Sequence, residues 1–78
     1  MTGPVRSVSQ AFAILRLLAG AGPMTLSDIG RLVGLSPSSC LNLLRTLVSE
    51  GVLDRDGRTK YYALAASWQA AEVLRDSR

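Results

Sequence analysis

The chain has 78 residues, enough for one small domain, and 47% of them are hydrophobic but only 5% aromatic, which predicts a modest core of aliphatic side chains. It has no apolar run of the about 20 residues that cross a bilayer, no secretory leader pattern and only one cysteine, so we expect a cytoplasmic protein without disulfides or a membrane partner. The net charge of +3 favours an anionic partner only through its placement, because six of the nine basic residues lie in or beside elements that can share one surface: Arg6, Arg31, Arg45, Arg55, Arg58 and Lys60.

The first part of the chain predicts one helix. Residues 1–4 carry Gly and Pro without a pattern and should be a disordered end. Ser7 or Ser9 can cap a helix that runs to about Ala19, before two glycines and a proline. Its apolar residues form two stripes at helical spacing, one with Val8, Phe12, Leu15 and Leu18 and the other with Ile14 and Leu17. A helix that is apolar on two sides is buried on two sides, so we expect one stripe to meet a second subunit.

A second, shorter helix begins at a clear capping signal. Thr25 with Asp28 three positions later is a variant of the capping box. The buried side of this helix is predicted to be Leu26, Ile29, Leu32 and Val33. Gly34 and Leu35 make the turn that follows, where a glycine supplies the positive φ that an abrupt helix end often needs.

The third helix, predicted over residues 37–50, has two different faces. Ser36 is its N-cap, Pro37 takes the first helical position and Gly51 ends it. One face is apolar and should pack on the rest of the domain: Cys40, Leu43, Leu44, Leu47 and Val48. The opposite face carries Ser38, Ser39, Leu41, Asn42, Arg45 and Ser49.

After the third helix the pattern becomes extended. Two short strands, 52–55 and 60–64, surround an Asp-Gly-Arg-Thr turn, and Asp-Gly between extended runs is one of the stronger hairpin signals. Tyr61 and Tyr62 point to opposite faces of their strand, so one of them should pack beneath the hairpin.

The order of these elements predicts a winged helix–turn–helix, a mainly α fold with a three-helix core and a two-stranded wing, over residues 5–66. Ser67 can cap a last helix from Trp68 to about Arg75, and residues 67–78 would serve dimerisation or form a linker. For the dimer interface we select four apolar residues: Ile14, Leu17, Trp68 and Leu74.

The residue types predict no catalysis. The sequence has no histidine and one cysteine, so the common metal-ligand sets cannot be assembled. Cys40 falls on an apolar face and should be a small core residue rather than a nucleophile. We therefore expect no enzyme, no metal, no cofactor and no small-molecule ligand in this segment.

A winged helix can place the outer face of its third helix in the DNA major groove. The candidate contacts there are Ser38, Ser39, Leu41, Asn42 and Arg45. Asn42 can pair bidentately with adenine and Leu41 can pack on a thymine methyl. The wing, residues 54–60, would follow a phosphate strand with Arg58, Thr59 and Lys60, and Arg6 and Thr25 are further candidates for DNA contact. The alternatives are a solvated surface or a winged helix that docks on a protein.

The sequence also resembles a known family in a run of segments: Arg6-Ser7-Val8, Ala13-Ile14-Leu15, Thr25-Leu26-Ser27-Asp28-Ile29, Gly34-Leu35-Ser36 and Leu43-Leu44-Arg45-Thr46-Leu47-Val48, followed by the wing. Over residues 5 to about 70 it is similar to the N-terminal DNA-binding domain of IclR (isocitrate lyase regulator) transcription factors. The resemblance implies a winged-helix homodimer that binds a palindromic operator in double-stranded DNA and regulates nearby genes, for which we expect repression.

Three departures from the family pattern are visible. The family usually has a basic residue in place of Asn42 and often a polar one in place of Leu41, so we expect a different operator sequence. Ala65 stands where the family tends to have Gly. The family also carries a C-terminal effector-sensing domain of about 150 residues. The chain is therefore expected to be either the DNA-binding part of such a regulator or a stand-alone one.

Overall fold

The computed structural model describes residues 5–69, which form four helices and a three-stranded antiparallel sheet. The elements in chain order are α1 (Arg6–Ala21), β1 (Met24–Thr25), α2 (Leu26–Val33), α3 (Pro37–Ser49), β2 (Leu53–Arg55), β3 (Tyr61–Leu64) and α4 (Ala66–Gln69). The predicted fold, a mainly helical winged helix–turn–helix, is confirmed. No helix within the described residues is both long and apolar enough to cross a membrane.

The start signals of α2 and α3 act as predicted. The Thr25 hydroxyl accepts a hydrogen bond from the Asp28 N–H at 3.3 Å, and the Ser36 hydroxyl accepts one from the Ser39 N–H at 3.3 Å. Each side chain thereby satisfies a backbone donor that the first helical turn leaves without a partner.

The predicted cap of α1 is wrong. The helix begins at Arg6 with Val5 in the N-cap position and no side-chain cap, and it continues to Ala21. The Ser9 N–H already donates to the Val5 carbonyl at 3.0 Å, so helical hydrogen bonding starts upstream of both candidate serines.

The turn between α2 and α3 depends on two glycines. Gly34 has φ 83°, in the left-handed region that favours glycine, and its N–H and that of Leu35 both donate to the Gly30 carbonyl at 2.8 Å. A Cβ on Gly30 would lie 3.3 Å from the Leu35 carbonyl oxygen and 3.7 Å from the Cys40 Cβ. The helices therefore approach closely at a point where there is little room for a side chain.

The sheet has one strand more than predicted. Met24 and Thr25 pair with Tyr62 and Tyr61, so β3 lies between β1 and β2 in the order β1-β3-β2. Both predicted strands are one residue shorter, because Val52 and Lys60 lie outside the ladders.

The core contains side chains from α1, α2, α3 and the sheet. Its buried members are Ile14, Leu15, Leu18, Ile29, Cys40, Leu44, Val52, Leu53, Tyr62 and Leu64. Cys40 is a buried core residue, as predicted. The predicted apolar faces extend too far in two places, because Val8 and Leu32 are 53% and 55% exposed.

Ile14 is a correction to the predicted dimer interface. This side chain is 0% exposed, in a helix that packs against α2, α3 and β3. It therefore has no surface left for a second subunit. Leu17 and Trp68 are half-buried and keep some exposed surface.

The last helix begins two residues earlier than the predicted start at Trp68, at Ala66, so the predicted cap at Ser67 is wrong. The Trp68 N–H donates to the Ala65 carbonyl at 2.8 Å, which places Ala65 before the first turn. The predicted continuation to Arg75, the interface residue Leu74, and the disordered end at residues 1–4 lie outside the described residues.

Candidate nucleic-acid interface

The two predicted faces of α3 are present in the structure. Cys40 and Leu44 are buried and the other apolar residues of that face, Leu43, Leu47 and Val48, are half-buried. On the opposite side Ser38, Ser39, Asn42 and Arg45 are exposed. Since Ser38, Asn42 and Arg45 follow one another at spacings of four and three residues, they form one row along the helix surface.

Backbone hydrogen bonding leaves one donor at the start of α3. Pro37 has no N–H, the Ser39 N–H donates to the Ser36 hydroxyl, and the Cys40 N–H donates to the Ser36 carbonyl at 2.9 Å. Among the residues that the structure describes, the Ser38 N–H has no such partner. A phosphate oxygen approaching this helix start can therefore bond one backbone N–H and the hydroxyls of Ser38 and Ser39.

The side chain of Asn42 is available for a partner outside the chain. The neighbouring Thr46 hydroxyl donates to the Asn42 carbonyl at 2.9 Å, which occupies only the backbone of Asn42. Within residues 5–69 no hydrogen bond engages the carboxamide of Asn42 or the guanidinium of Arg45. Both groups keep their full hydrogen-bonding capacity on an exposed helix face.

The wing tip is held by its own aspartate. The Asp56 carboxylate accepts hydrogen bonds from the N–H groups of Arg58 at 2.8 Å and Thr59 at 3.3 Å, and these donors lower the pKa of Asp56. The carboxylate is thus bound to the turn backbone, while the side chains of Arg58 and Lys60 are exposed.

The conformation of the turn differs from the expected Asp-Gly hairpin. Gly57 has no positive φ, whereas Lys60 has φ 65°. The Lys60 N–H donates to the Asp56 carbonyl at 2.7 Å and the Asp56 N–H donates to the Tyr61 carbonyl at 2.9 Å, so five residues form the loop. In this loop the left-handed residue is the last one, Lys60, and not the glycine.

A groove connects α3, the start of α2 and the wing. Its lining residues are Thr25, Leu26, Ser27, Leu41, Arg55, Thr59, Lys60 and Tyr62. Four predicted contact residues thereby come together, namely Thr25, Leu41, Thr59 and Lys60. Leu41 is half-buried and lies at this groove, toward the wing rather than in the exposed row of Asn42.

Ser27 and Arg55 line the groove but were not among the DNA contacts selected from the sequence, although Arg55 is one of the six basic residues that could share a surface. Arg55 pairs with Tyr62 in the hairpin register, two positions after the buried Leu53. Period-two alternation from Leu53 would have placed Arg55 on the face toward the helices. Ser27 follows the cap residue of α2, and nothing in its own pattern indicates a site.

Two other basic residues are not part of the groove. Arg6 is exposed at the first residue of α1. Arg31 forms an ion pair with Asp28 at 3.0 Å on the exposed side of α2.

Burial raises the pKa of the Cys40 thiol, which keeps this side chain protonated at neutral pH.

Comparison with known proteins agrees with this geometry. A family model described as the IclR helix-turn-helix domain matches residues 7–57. The chain belongs to this family. The predicted domain type, an IclR-type helix–turn–helix DNA-binding domain, is therefore confirmed.

One curated protein and one solved structure illustrate this similarity. The glycerol operon regulatory protein of Streptomyces coelicolor is 39% identical over 67 residues, which cover 85% of this chain and 26% of that protein. The crystal structure of an IclR transcriptional regulator from Alicyclobacillus acidocaldarius superposes with a TM-score of 0.79 and 31% identity, over 83% of this chain and 27% of the other. The chain thus spans about a quarter of the length of the relatives it matches.

A smaller protein shares the fold over nearly its whole length. The Zβ domain of human DAI, whose binding modes to B- and Z-DNA have been studied in solution, has a TM-score of 0.69 and 25% identity to this chain. The match covers 82% of this chain and 94% of that domain.

Proposed function

We propose that α3 enters the major groove of double-stranded DNA while the wing lies on the sugar–phosphate backbone beside it. The observation that carries this proposal is the groove between the two elements, because the basic wing residue Lys60 and the α3 residue Leu41 both line it. When a helix enters the major groove, the protein also contacts the phosphates of the neighbouring strand, and the wing supplies cations that neutralise their charge.

The contacts divide into base readout and backbone binding. Asn42 pairs with adenine through both polar atoms of its carboxamide, Leu41 packs on a thymine methyl, and Arg45 contacts guanine or the backbone. The phosphates are bound by hydroxyls and cations: Ser38, Ser39, Thr25, Arg58, Thr59, Lys60 and, at the start of α1, Arg6. Thr25 can serve both roles, because its oxygen caps α2 while its hydroxyl proton stays available to a phosphate.

The oligomeric state is part of the proposal. Leu17 keeps some exposed apolar surface on α1. A second copy would cover this side chain, and a two-fold symmetric pair reads a palindromic operator. Trp68 stays a candidate for the same interface.

The regulatory role follows from binding. A homodimer on an operator that overlaps a promoter excludes polymerase, so we propose repression in the cytoplasm of a bacterial cell. We assign no catalytic activity, cofactor or small-molecule ligand to this segment. The sequence has no histidine, and its only thiol is buried in the core.

Fluorescence polarisation on random duplex DNA over a series of salt concentrations tests DNA binding. The affinity should fall steeply as salt rises, because bound cations release counterions from the phosphates. A winged helix that docks only on proteins would show no salt-sensitive binding.

Two variants test the division of roles. Arg58→Ala should weaken binding to every sequence alike and reduce the salt slope by about one unit. Asn42→Ala should cost about 1–3 kcal/mol on the preferred sequence and much less on random DNA. Arg16→Ala is a matched control for charge, since Arg16 lies on α1 and belongs to neither α3 nor the wing. Equal losses on both DNAs for Asn42→Ala would contradict its assignment to base readout.

A further inference from the structure

Arg55 lies at the junction of the wing and the helices. It is the last residue of β2 and pairs with Tyr62 on β3. Since side chains alternate along a strand, Arg55 shares its face with Leu53, which is 1% exposed and points into the core. The guanidinium therefore emerges where the core ends and the groove begins.

An aromatic ring lies close to this guanidinium. The Arg55 Cζ lies 5.9 Å from the centre of the Tyr62 ring, within the range of a cation–π contact. Tyr62 is 4% exposed and packs in the core, so its ring has a fixed position. An arginine held in this way loses less side-chain freedom when it binds a partner.

Among the residues that the structure describes, no carboxylate lies within 4.0 Å of the Arg55 guanidinium. Within residues 5–69 the one ion pair joins Arg31 and Asp28 on the exposed side of α2. Arg55 instead lines the groove together with Lys60 and with the hydroxyl residues Thr25, Ser27 and Thr59. Two cations with several hydroxyl donors along an open groove match the chemistry of a phosphate strand.

We propose that Arg55 binds a DNA phosphate between α3 and the wing, and that Tyr62 is a positioning residue that orients the guanidinium for this contact. The proposal rests on the proposed DNA binding and adds a contact to it. Because a phosphate is present at every step of a duplex, Arg55 should contribute affinity and register but no preference for a base.

The first test is the salt dependence of DNA binding by Arg55→Ala. The slope of log affinity against log salt should fall by about one unit, and the affinity for preferred and random duplexes should drop by the same factor. Arg16→Ala is the matched control, because the Arg16 Cζ lies 5.7 Å from the Phe12 ring centre. It loses the same charge and the same type of contact outside the groove, and it should keep the wild-type slope.

The second test separates positioning from stability. Tyr62→Phe keeps the ring and should bind DNA as wild type does, whereas Tyr62→Leu removes the ring and should weaken binding about two- to five-fold. When Tyr62→Leu is combined with Arg55→Ala, it should cause no further loss of affinity, because the group it orients is absent. Thermal unfolding of each variant identifies the temperature at which all of them are folded for the binding assay.

The outcomes distinguish this inference from the proposed function. An unchanged salt slope in Arg55→Ala, with wild type binding DNA, would overturn the role of Arg55 alone. A further loss of affinity when Tyr62→Leu is added to Arg55→Ala would show that Tyr62 acts through the fold rather than through Arg55. Absence of salt-sensitive binding by wild type would overturn DNA binding and the Arg55 contact together.

Discussion

Replacing Lys60 should separate folding stability from DNA affinity. Lys60 is the one non-glycine residue within 5–69 with positive φ, at 65°. A side chain in the left-handed region costs about 1–2 kcal/mol, while a glycine costs about 0.5–1 kcal/mol of backbone entropy on folding. Lys60→Gly should therefore raise the free energy of unfolding by about 0.5–1 kcal/mol, which corresponds to about 2–8 °C in Tm for a domain of this size.

The same substitution should weaken DNA binding. Lys60 lines the groove together with Leu41 and Thr25, so the loss of its ammonium takes one cation away from the proposed phosphate contact. Lys60→Ala is the matched variant, since it removes the same cation but keeps a Cβ at positive φ. Both variants should lose about one unit of salt slope, and only Lys60→Gly should gain stability.

Urea unfolding followed by circular dichroism, together with polarisation on duplex DNA, measures both quantities. If Lys60→Gly were no more stable than Lys60→Ala, the argument from backbone strain would be refuted. If either variant kept the wild-type affinity and salt slope, the strained lysine would have no role in binding DNA.

Three further predictions concern the turn, the groove and the wing. Gly34→Ala should destabilise the domain by about 0.5–1 kcal/mol in urea unfolding, because the strain of a side chain at positive φ exceeds the backbone entropy that it saves. Gly20→Ala should stabilise the domain by up to about 1 kcal/mol, because Gly20 lies within α1 and the added Cβ would have nothing within 4 Å. A Gly34→Ala variant more stable than Gly20→Ala would contradict the argument. Replacing single thymines of the preferred duplex by deoxyuridine should lower wild-type affinity about four-fold at one position, because one buried methyl contributes about 0.8 kcal/mol. The affinity of Leu41→Ala should not change on replacement of the same thymine. Because the folded-state pKa of Asp56 is lowered, its stabilising effect is present above the unfolded-state pKa and is lost as pH falls through the folded-state pKa. Wild type should therefore lose more stability on acidification than Asp56→Asn. An equal decrease of the urea midpoint in both proteins as the pH is lowered would refute this.

Local signals were sufficient for much of the fold. The caps at Thr25 and Ser36 act within three residues of themselves, so the sequence alone predicts where α2 and α3 begin. The left-handed conformation at Gly34 is predictable for the same reason, because the residue type at one position determines how the helix ends. The strand β1 was not predictable, since two residues become a strand only by pairing with Tyr61 and Tyr62 far along the chain.

The candidate site was predictable where one helix determines it. The exposed row of Ser38, Asn42 and Arg45 follows from helical period alone. Arg55 requires the register of the hairpin, which depends on a loop that ends at Lys60 rather than turning at Gly57. The period of α1 identified a second apolar side at Ile14, but it could not distinguish a partner subunit from the α2, α3 and β3 elements of the same chain.

Selection of bound duplexes from a random pool, with wild type and Asn42→Ala side by side, tests base readout by α3 most directly. We predict that wild type enriches one motif in two inverted half-sites about 10 base pairs apart, centre to centre, as a dimer with a helix in the major groove requires. Asn42→Ala should enrich the same motif with one position relaxed in each half-site. Salt-sensitive binding without any enriched motif, or an unchanged motif with Asn42→Ala, would contradict base readout by α3.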